Sequence, residues 1–407
     1  MSDPVVSPTA VLAAAPDGRA WRVATASRAL AGTGPGVLLG ELTEARTRKL
    51  HVDLRGPATA ECVVNGRSSQ TYGLTELSQD LVLYRWNPVG GAFECLFRGP
   101  IGRTQDVISE TVHTLTVTAA DYRALLARLP AVVTQTWTGL DQATMVKNLV
   151  AFYGGGSFVP FDLRIGWGGV LNPDGTVLGD TTGVARDRSY TADQLVGDAV
   201  DKLAACLGGF DWSAEPTDPS TQANQAATVT LWYPRRGVTK SFVAGYGTTV
   251  SSLTRAVNST DFANWVLTIG KGMTTTSAGD VSSNPAAHPE GLWGDVLQAA
   301  DVSVAATLQQ QSDGYLALHS QVAPAYSATL VPGAWNQRSD GWLGDTVTLR
   351  VASGRLNVDT TVRIVAVDFD VDDSGTERVA LTLGRADVTL ADALAGINST
   401  LDALTRR

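Results

Sequence analysis

Cysteine, histidine and long apolar runs are scarce in this sequence of 407 residues. The three cysteines, Cys62, Cys95 and Cys206, lie far apart and are odd in number. No CxxC pair or cysteine–histidine spacing is present. That argues against a disulfide framework or a structural zinc site and for reduced, buried thiols. The four histidines, His51, His113, His288 and His319, are scattered, and none belongs to an HExxH pair. No GxSxG elbow occurs either. A glycosidase needs two carboxylates about 5–9.5 Å apart, a spacing that exists in space and not along the chain. With no recognisable constellation, no catalytic residue, cofactor-binding residue or metal ligand is expected, and an enzyme is disfavoured.

No apolar run approaches the roughly 20 residues that cross a bilayer, so no stable membrane insertion is expected. An alanine-rich stretch occupies residues 10–15, but Asp3 precedes it and no basic residue does, unlike a signal peptide. Synthesis in the cytoplasm is expected. The net charge is −9. It argues against non-specific nucleic-acid binding, which needs a basic surface. It leaves open a polar channel through which DNA merely passes.

What is present is glycine and alternation. The sequence holds 41 glycines, 44% hydrophobic residues and 17% charged residues. This is the composition of a globular chain with many tight turns, long enough for two to four domains. Its most legible stretch is residues 342–407. Residues 344–351, 361–371 and 378–384 read as three strands. Val347, Leu349 and Val351 alternate with Thr346, Thr348 and Arg350, and Val379, Leu381 and Leu383 alternate likewise. Turns at Ser353-Gly354 and at Asp372-Asp373-Ser374-Gly375 separate the strands.

A closing helix is predicted from Thr389. Leu390, Leu394, Ile397, Leu401 and Leu404 are spaced four, three, four, three, which is an a/d seam. Burying these side chains contributes roughly 7–15 kcal/mol gross. Ordering the helix costs about 1–2 kcal/mol per residue. The seam must therefore dock, either on its own domain or on a symmetry mate.

The N-terminal third repeats this order. Residues 1–17, with Pro4, Pro8 and Pro16, read as an arm. Strands are expected at 37–39, 49–54, 60–64, 81–86, 93–101 and 111–118, with a hairpin signal at Asn65-Gly66. A helix follows at 120–129, ahead of Pro130. Strand, turn, strand, polar turn, strand, short helix thus occurs twice, suggesting two related β domains.

Between them, residues 138–150 and a segment opened by Thr191 read as helices, with Thr191 as cap. The apolar face of the second is Leu195, Val196, Ala199, Val200, Leu203 and Leu207. Residues 154–189 read as glycine-rich loop. Residues 210–213 and 229–234 read as paired strands. Further on, 260–270 reads as a strand, 273–294 as a long exposed loop and 302–325 as a helix. The expected organisation is α+β and β-rich: an arm at 1–17, a β domain at 18–130, an α+β insert at 131–248, a β domain at 249–387 and a C-terminal helix at 388–407.

These residues resemble the hub proteins at the tail tip of phages with long non-contractile tails. The resemblance covers about residues 20 to 405. It rests on the ordered series Phe97-Arg98-Gly99-Pro100-Ile101, Ala120-Asp121-Tyr122, Leu207-Gly208-Gly209-Phe210-Asp211-Trp212, Thr260-Asp261-Phe262-Ala263-Asn264 and the closing Gly-Asp-Thr-Val, Arg-Ile-Val-Ala-Val and Leu-Thr-Leu-Gly strands.

The resemblance implies two tail-tube-like β-barrel or sandwich domains per chain in a homotrimer. Six such domains would form a ring that meets the sixfold tube above and presents threefold symmetry below. It also implies a virion location and synthesis in host cytoplasm. Partners would be the distal tail protein, the tape measure protein and tip or fibre proteins, with DNA only in transit. Unlike larger relatives, the chain is expected to carry no appended peptidase, lysin or fibre domain. Two alternatives stand beside this reading: a β-rich receptor- or glycan-binding tail protein, and a cell-wall hydrolase.

Three other features have bland readings. Asp368, Asp370, Asp372, Asp373 and Gly375 resemble a calcium loop faintly. Such a loop needs further ligands and a bidentate Glu, and Phe369 and Val371 alternate with the carboxylates, so they read as the wet face of a strand. Gly154-Gly155-Gly156, Gly166-Trp167-Gly168-Gly169 and Gly270-Lys271-Gly272 lack the Lys-Ser/Thr step of a phosphate loop and read as turns. Trp167, Trp293, Trp335 and Trp342, among ten tryptophans, sit beside glycine in predicted loops. They could stack on sugars, but a core or interface role is expected.

Overall fold

In the computed structural model the described residues are 20–28, 36–151, 163–206, 208–257, 259, 262–279, 287–299, 304–320 and 324–384. The predicted arm and the closing helix with Leu390, Leu394, Ile397, Leu401 and Leu404 lie outside them, as does Gly154-Gly155-Gly156.

The chain is β-rich α+β. A first unit contains β1 (Trp21–Ser27), β2 (Leu38–Glu41), β3 (Thr47–Asp53), β4 (Thr59–Asn65), β5 (Gln79–Asn87), β6 (Ala92–Ile108), β7 (His113–Ala120) and the short α1 (Tyr122–Leu126). Alternation builds these strands: in β4, Ala60, Cys62 and Val64 point into the core and Glu61 and Val63 away from it. Asp121 ends β7 and caps α1, its Oδ1 accepting from the Ala124 N–H at 3.1 Å. Asn65-Gly66 is a turn but not a hairpin. β4 pairs with β7, and the Gly66 N–H donates to the His113 carbonyl at 2.9 Å.

The insert follows: β8 (Gln135–Asp141), α2 (Gln142–Ala151), β9 (Ile165–Leu171), β10 (Val177–Gly179), β11 (Ala185–Tyr190), α3 (Val196–Ala204), β12 (Asp211–Pro216) and β13 (Ala227–Trp232). β12 and β13 pair antiparallel as predicted, in a four-stranded sheet ordered β10-β9-β13-β12. Met145, Val146, Leu149, Val200, Leu203, Phe210, Trp212 and Leu231 share its core.

Several expectations fail here for local reasons. Residues 138–141 belong to β8, and the helix starts only at Gln142. The supposed loop 154–189 holds three strands, of which β11 is an exposed Arg/Asp-rich ribbon paired with β8. Glycine in β9 was the misleading signal. A Cβ on Gly168 would lie 2.4 Å from the Thr230 Oγ1, so glycine there lets β9 pack against β13. Thr191 does not cap α3. That helix begins at Val196, whose N–H donates to the Leu129 carbonyl at 2.8 Å.

The second unit contains β14 (Thr239–Gly245), β15 (Val250–Val257), β19 (Pro324–Leu330), β20 (Thr346–Ser353), β21 (Leu356–Val371) and β22 (Glu377–Gly384). Between β15 and β19 come β16 (Trp265–Gly270), β17 (Thr275–Ala278), β18 (Gly294–Ala299) and α4 (Ala305–His319). The predicted 302–325 helix is thus shorter at both ends. Pro324 opens β19, where Tyr326, Ala328 and Leu330 alternate inward. The predicted loop 273–294 contributes β17, and β18 begins at its last residue; both strands flank β16, which starts only at Trp265.

The two units have one strand order. In the first the sheet runs β3-β4-β7-β6-β5-β1; in the second it runs β15-β19-β22-β21-β20-β14. The pairs β3·β4, β4·β7, β7·β6 and β6·β5 are antiparallel, as are their counterparts in the second unit. β1 and β14 differ, pairing antiparallel and parallel to their neighbours. The bends also match: β6 shifts register on β7 between Ile101 and Arg103, and β21 shifts on β22 between Ile364 and Ala366.

Both units belong to one sheet of 13 strands, joined where β21 pairs antiparallel with β3. A single apolar core runs beneath them and includes Leu50, Leu83, Phe97, Val347, Leu349 and Phe369. No barrel closes among the described residues. The path is open, with β15 at one end and β2 at the other.

Candidate functional site

The features that could do work are the joints that hold the units together and the sheet edges they leave uncovered. The joint between β3 and β21 is both apolar and ionic. Phe369 sits opposite Leu50, and both are buried. Asp368 sits opposite His51, with Nδ1 and Oδ1 2.7 Å apart, and Asp53 lies 3.8 Å from the His51 Nε2. Hydrogen bonds to Asp368 and then Asp53 raise the His51 pKa to about 10, against the opposing effect of burial.

Nearby, Arg85 holds Glu377 by two contacts of 2.7 and 2.8 Å, and the Trp21 indole N–H donates to the same carboxylate at 2.5 Å. Arg85 also bonds Gln337 and lies 5.3 Å from the Phe369 ring centre. Trp335 and Trp342 stack beside Phe369. Two of the four singled-out tryptophans therefore pack into the joined core. Trp167 is half-buried in the insert and Trp293 is half-exposed.

The insert is tied to the first unit by buried arginines and to the second by a half-buried one. Arg98, on β6, is 1% exposed and pairs with the fully buried Asp80 at 2.9 Å. Its Nη1 donates to the Gln225 carbonyl at 2.8 Å and to the Thr217 carbonyl at 3.3 Å. Burial pushes the Asp80 pKa up, while Arg98 and the Tyr122 hydroxyl oppose that push. Arg123, on α1, donates to the carbonyls of Leu54 and Trp212 and to Asp201. On the other side Asp211 accepts from Arg363 at 2.5 Å and from the Arg236 N–H at 2.8 Å. Burial raises its pKa, but the Arg363 charge and these hydrogen bonds outweigh burial and hold the carboxyl below its ordinary range.

Where the three parts meet there is a cleft of about 410 Å³. Six of its charges pair off: Glu94 with Arg338 at 2.9 Å, Glu215 with Arg236 at 2.8 Å, Lys240 with Asp345 at 3.8 Å. Asp121, at the wall, is pushed up to about 6 by burial, but its oxygens accept from the backbone N–H groups of Ala58 and Ala124. Mutually paired groups are poor acids, bases or nucleophiles, and the Asp121 carboxylate is engaged as the cap of α1.

The residues singled out in the sequence do not converge. Asp372 turns the β21–β22 hairpin, its Oδ1 accepting from the N–H groups of Ser374 and Thr376 at 2.9 Å each. Asp368 faces His51, and Asp370 is exposed on the strand. His113 pairs with Asp106 at 2.7 Å, His288 with Glu290 at 3.0 Å, and His319 stacks on Tyr315. The three cysteines are free, and burial pushes the thiols of Cys62 and Cys95 up to about 12. Among the described residues no three His, Cys, Asp or Glu side chains could hold a metal ion. Sequence reading missed the arginine joints. Their only signal was Arg and Asp set within apolar runs, as at Arg98 and Asp80.

Among the described residues, the 13-stranded sheet leaves several edges without a second strand, three of which carry exposed apolar side chains. β15 has β19 as its one strand partner, beside a single bridge from Val250 to Tyr246, β2 has β1, and the outer half of β6, beyond Ile101, has β7. Val107, Ile108, Val257, Leu38 and Leu39 are exposed along them. Edges of this kind seek partners.

No protein-family model matches the sequence, and no curated protein matches it. The fold is similar to that of a tail protein from Neisseria meningitidis, with a TM-score of 0.58 at 12% identity over 90% of this chain and 96% of that one. It is also similar to a 43 kDa tail protein of prophage MuSo2 from Shewanella oneidensis, with a TM-score of 0.57 at 12% identity over 90% and 98%. A prophage tail protein from Listeria monocytogenes gives 0.55 at 11% identity over 94% and 99%. The chain therefore has the fold of these tail proteins.

Proposed function

We propose that a chain with this fold acts as a structural hub at the distal end of a phage tail. Three copies would close into a ring whose six β units meet the sixfold tube on one side and present threefold symmetry on the other. The observation that carries this reading is the repeated strand order with its edge-to-edge joint at β3 and β21. A polypeptide that already contains two like units side by side needs only one further kind of joint to close a ring.

In this reading the units are the tail-tube-like domains, expected at residues 18–130 and 249–387, the second extended back to take in β14 from the end of the insert range. The insert at 131–248 braces them, and the segment at 388–407 packs its leucine seam within the trimer. The distal tail protein, the tape measure protein and tip or fibre proteins are the partners. DNA passes only through the lumen. The three ion pairs of the central cleft favour a geometric role over a catalytic one.

Native mass measurement of the purified chain, and copy number in purified particles, test the proposal. Three copies, or a multiple of three, is the expected result. A copy number not divisible by three overturns it.

A further inference from the structure

The internal repeat does more than suggest a ring, because it specifies where the next joint lies. This inference rests on the ring reading above and adds the strands and the register.

The matched ladders place residues of the two units in correspondence. Ile101, Ala119, Ala60 and Leu50 form one row across β6, β7, β4 and β3. Ile364, Leu383, Tyr326 and Arg255 form the corresponding row across β21, β22, β19 and β15. Counting along each strand, Asp106 corresponds to Phe369 and Arg255 to Leu50. In the covered joint Phe369 lies opposite Leu50. The strands that correspond to β21 and β3 are β6 and β15, and those are two of the uncovered edges.

We propose that the outer half of β6 in one copy pairs antiparallel with β15 of the next copy, with Asp106 opposite Arg255. The neighbouring rows are then Val107 opposite Thr254, Ile108 opposite Leu253, Gln105 opposite Ala256 and Thr104 opposite Val257.

The chemistry of the two edges fits this register. An acid meets a base at the row where the covered joint has two apolar side chains. Both groups are exposed, and the Asp106 carboxylate keeps one oxygen beyond its contact with His113. Ile108, 70% exposed, meets Leu253, which already packs partly on the core. Thr104 meets Val257. Opposite charges and apolar pairs facing across antiparallel strands are the pairs that stabilise a sheet. In any register slipped by one residue, side chains of the two strands fall on opposite faces.

The test is interchain disulfide capture in the full chain. Residues directly opposite in an antiparallel pair have Cα atoms about 4.5–5.5 Å apart, inside the range a disulfide spans. A chain carrying Val107→Cys and Thr254→Cys is expected to cross-link on mild oxidation into a species that ends at three copies. The pair Val107→Cys with Arg255→Cys is expected not to link, and neither is the unsubstituted chain. Separately, Asp106→Arg and Arg255→Asp should each weaken assembly about tenfold or more, and the two together should restore it.

A chain that weighs as a trimer but links only in a slipped register, or not at all, overturns the joint and leaves the ring standing. In-register links that run on past three copies uphold the joint and overturn the trimeric ring. A chain that stays monomeric without links overturns both.

Discussion

The two β units reach one strand order with different residues, and they differ most where one is covered and the other open. At the covered joint the central row is Phe369 and Leu50, both buried. At the corresponding open edges the row holds Asp106 and Arg255, both exposed. A strand that pairs as its own chain folds can present apolar side chains, because its partner arrives by tether. An edge that waits in water for another molecule needs charge. Charge keeps the edge from pairing with any strand that comes by, and it favours the complementary partner.

The units differ a second time where the insert packs. Arg98 on β6 corresponds to Thr361 on β21, since Arg98 pairs with Val82 and Thr361 with Thr348 in matching rows. Arg98 is buried beneath the insert and Thr361 is exposed. Arg98→Ala would take from Asp80 its nearer cation, leaving Arg28 at 4.0 Å, and leave the Gln225 carbonyl without that donor. A buried pair broken from one side costs about 3–5 kcal/mol. Thr361→Ala should stay within about 0.5 kcal/mol. Urea denaturation of both variants measures the gap, and equal losses would break the contrast.

The joint itself gives the next largest effect. Phe369→Ala removes a ring packed on Trp21, with centroids 5.2 Å apart. It should cost about 3–4 kcal/mol. Asp106→Ala, at the corresponding open position, should change the stability of the single chain by less than about 0.5 kcal/mol while weakening assembly. If both substitutions destabilise the monomer alike, Asp106 is not an edge residue waiting for a partner.

How much of this was legible beforehand follows from the same physics. The strands at 346–353 and 377–384 were readable because each is half-covered, so its residues alternate; β21 was readable from 361 by its apolar run, of which Ile364 to Val367 are all buried. The doubling of the units was readable as an order of elements. β9 and β11 were not, because glycine at 166, 168 and 169 and the Arg/Asp ribbon at 185–190 carry no apolar period. β14, β18 and β19 were missed for another reason: short strands recruited by a neighbouring ladder owe their form to partners far along the chain. The arginine joints were equally illegible, since Arg98 meets Asp80, Thr217 and Gln225 only after three segments have folded.

The smallest effect concerns pH and separates the covered joint from the open one. His51 and Asp368 lie opposite each other at the first, and their counterparts, Ala256 and Gln105, cannot titrate. An unfolded imidazole has a pKa near 6.5, whereas folded His51 is raised to about 10 by Asp368 and Asp53. Between those values the folded chain holds a proton that the unfolded chain has released. Stability from the pair is then fully present below about pH 6.5 and is lost as pH rises toward about 10. The thiols of Cys62 and Cys95, pushed up to about 12, add a loss of the same sign above about pH 8.5, where they ionise in the unfolded chain, so the His51 effect is read below that pH; Asp53, held below its ordinary value, titrates below the window. The His51 side chain is 40% exposed, so water screens the pair and the slope will be shallow. Denaturation midpoints measured across that window should decline for the unsubstituted chain and stay flatter for His51→Gln. An identical slope in both would show that the His51–Asp368 pair contributes nothing, leaving the Arg85–Glu377 pair and the apolar row of Phe369 and Leu50 to hold the joint.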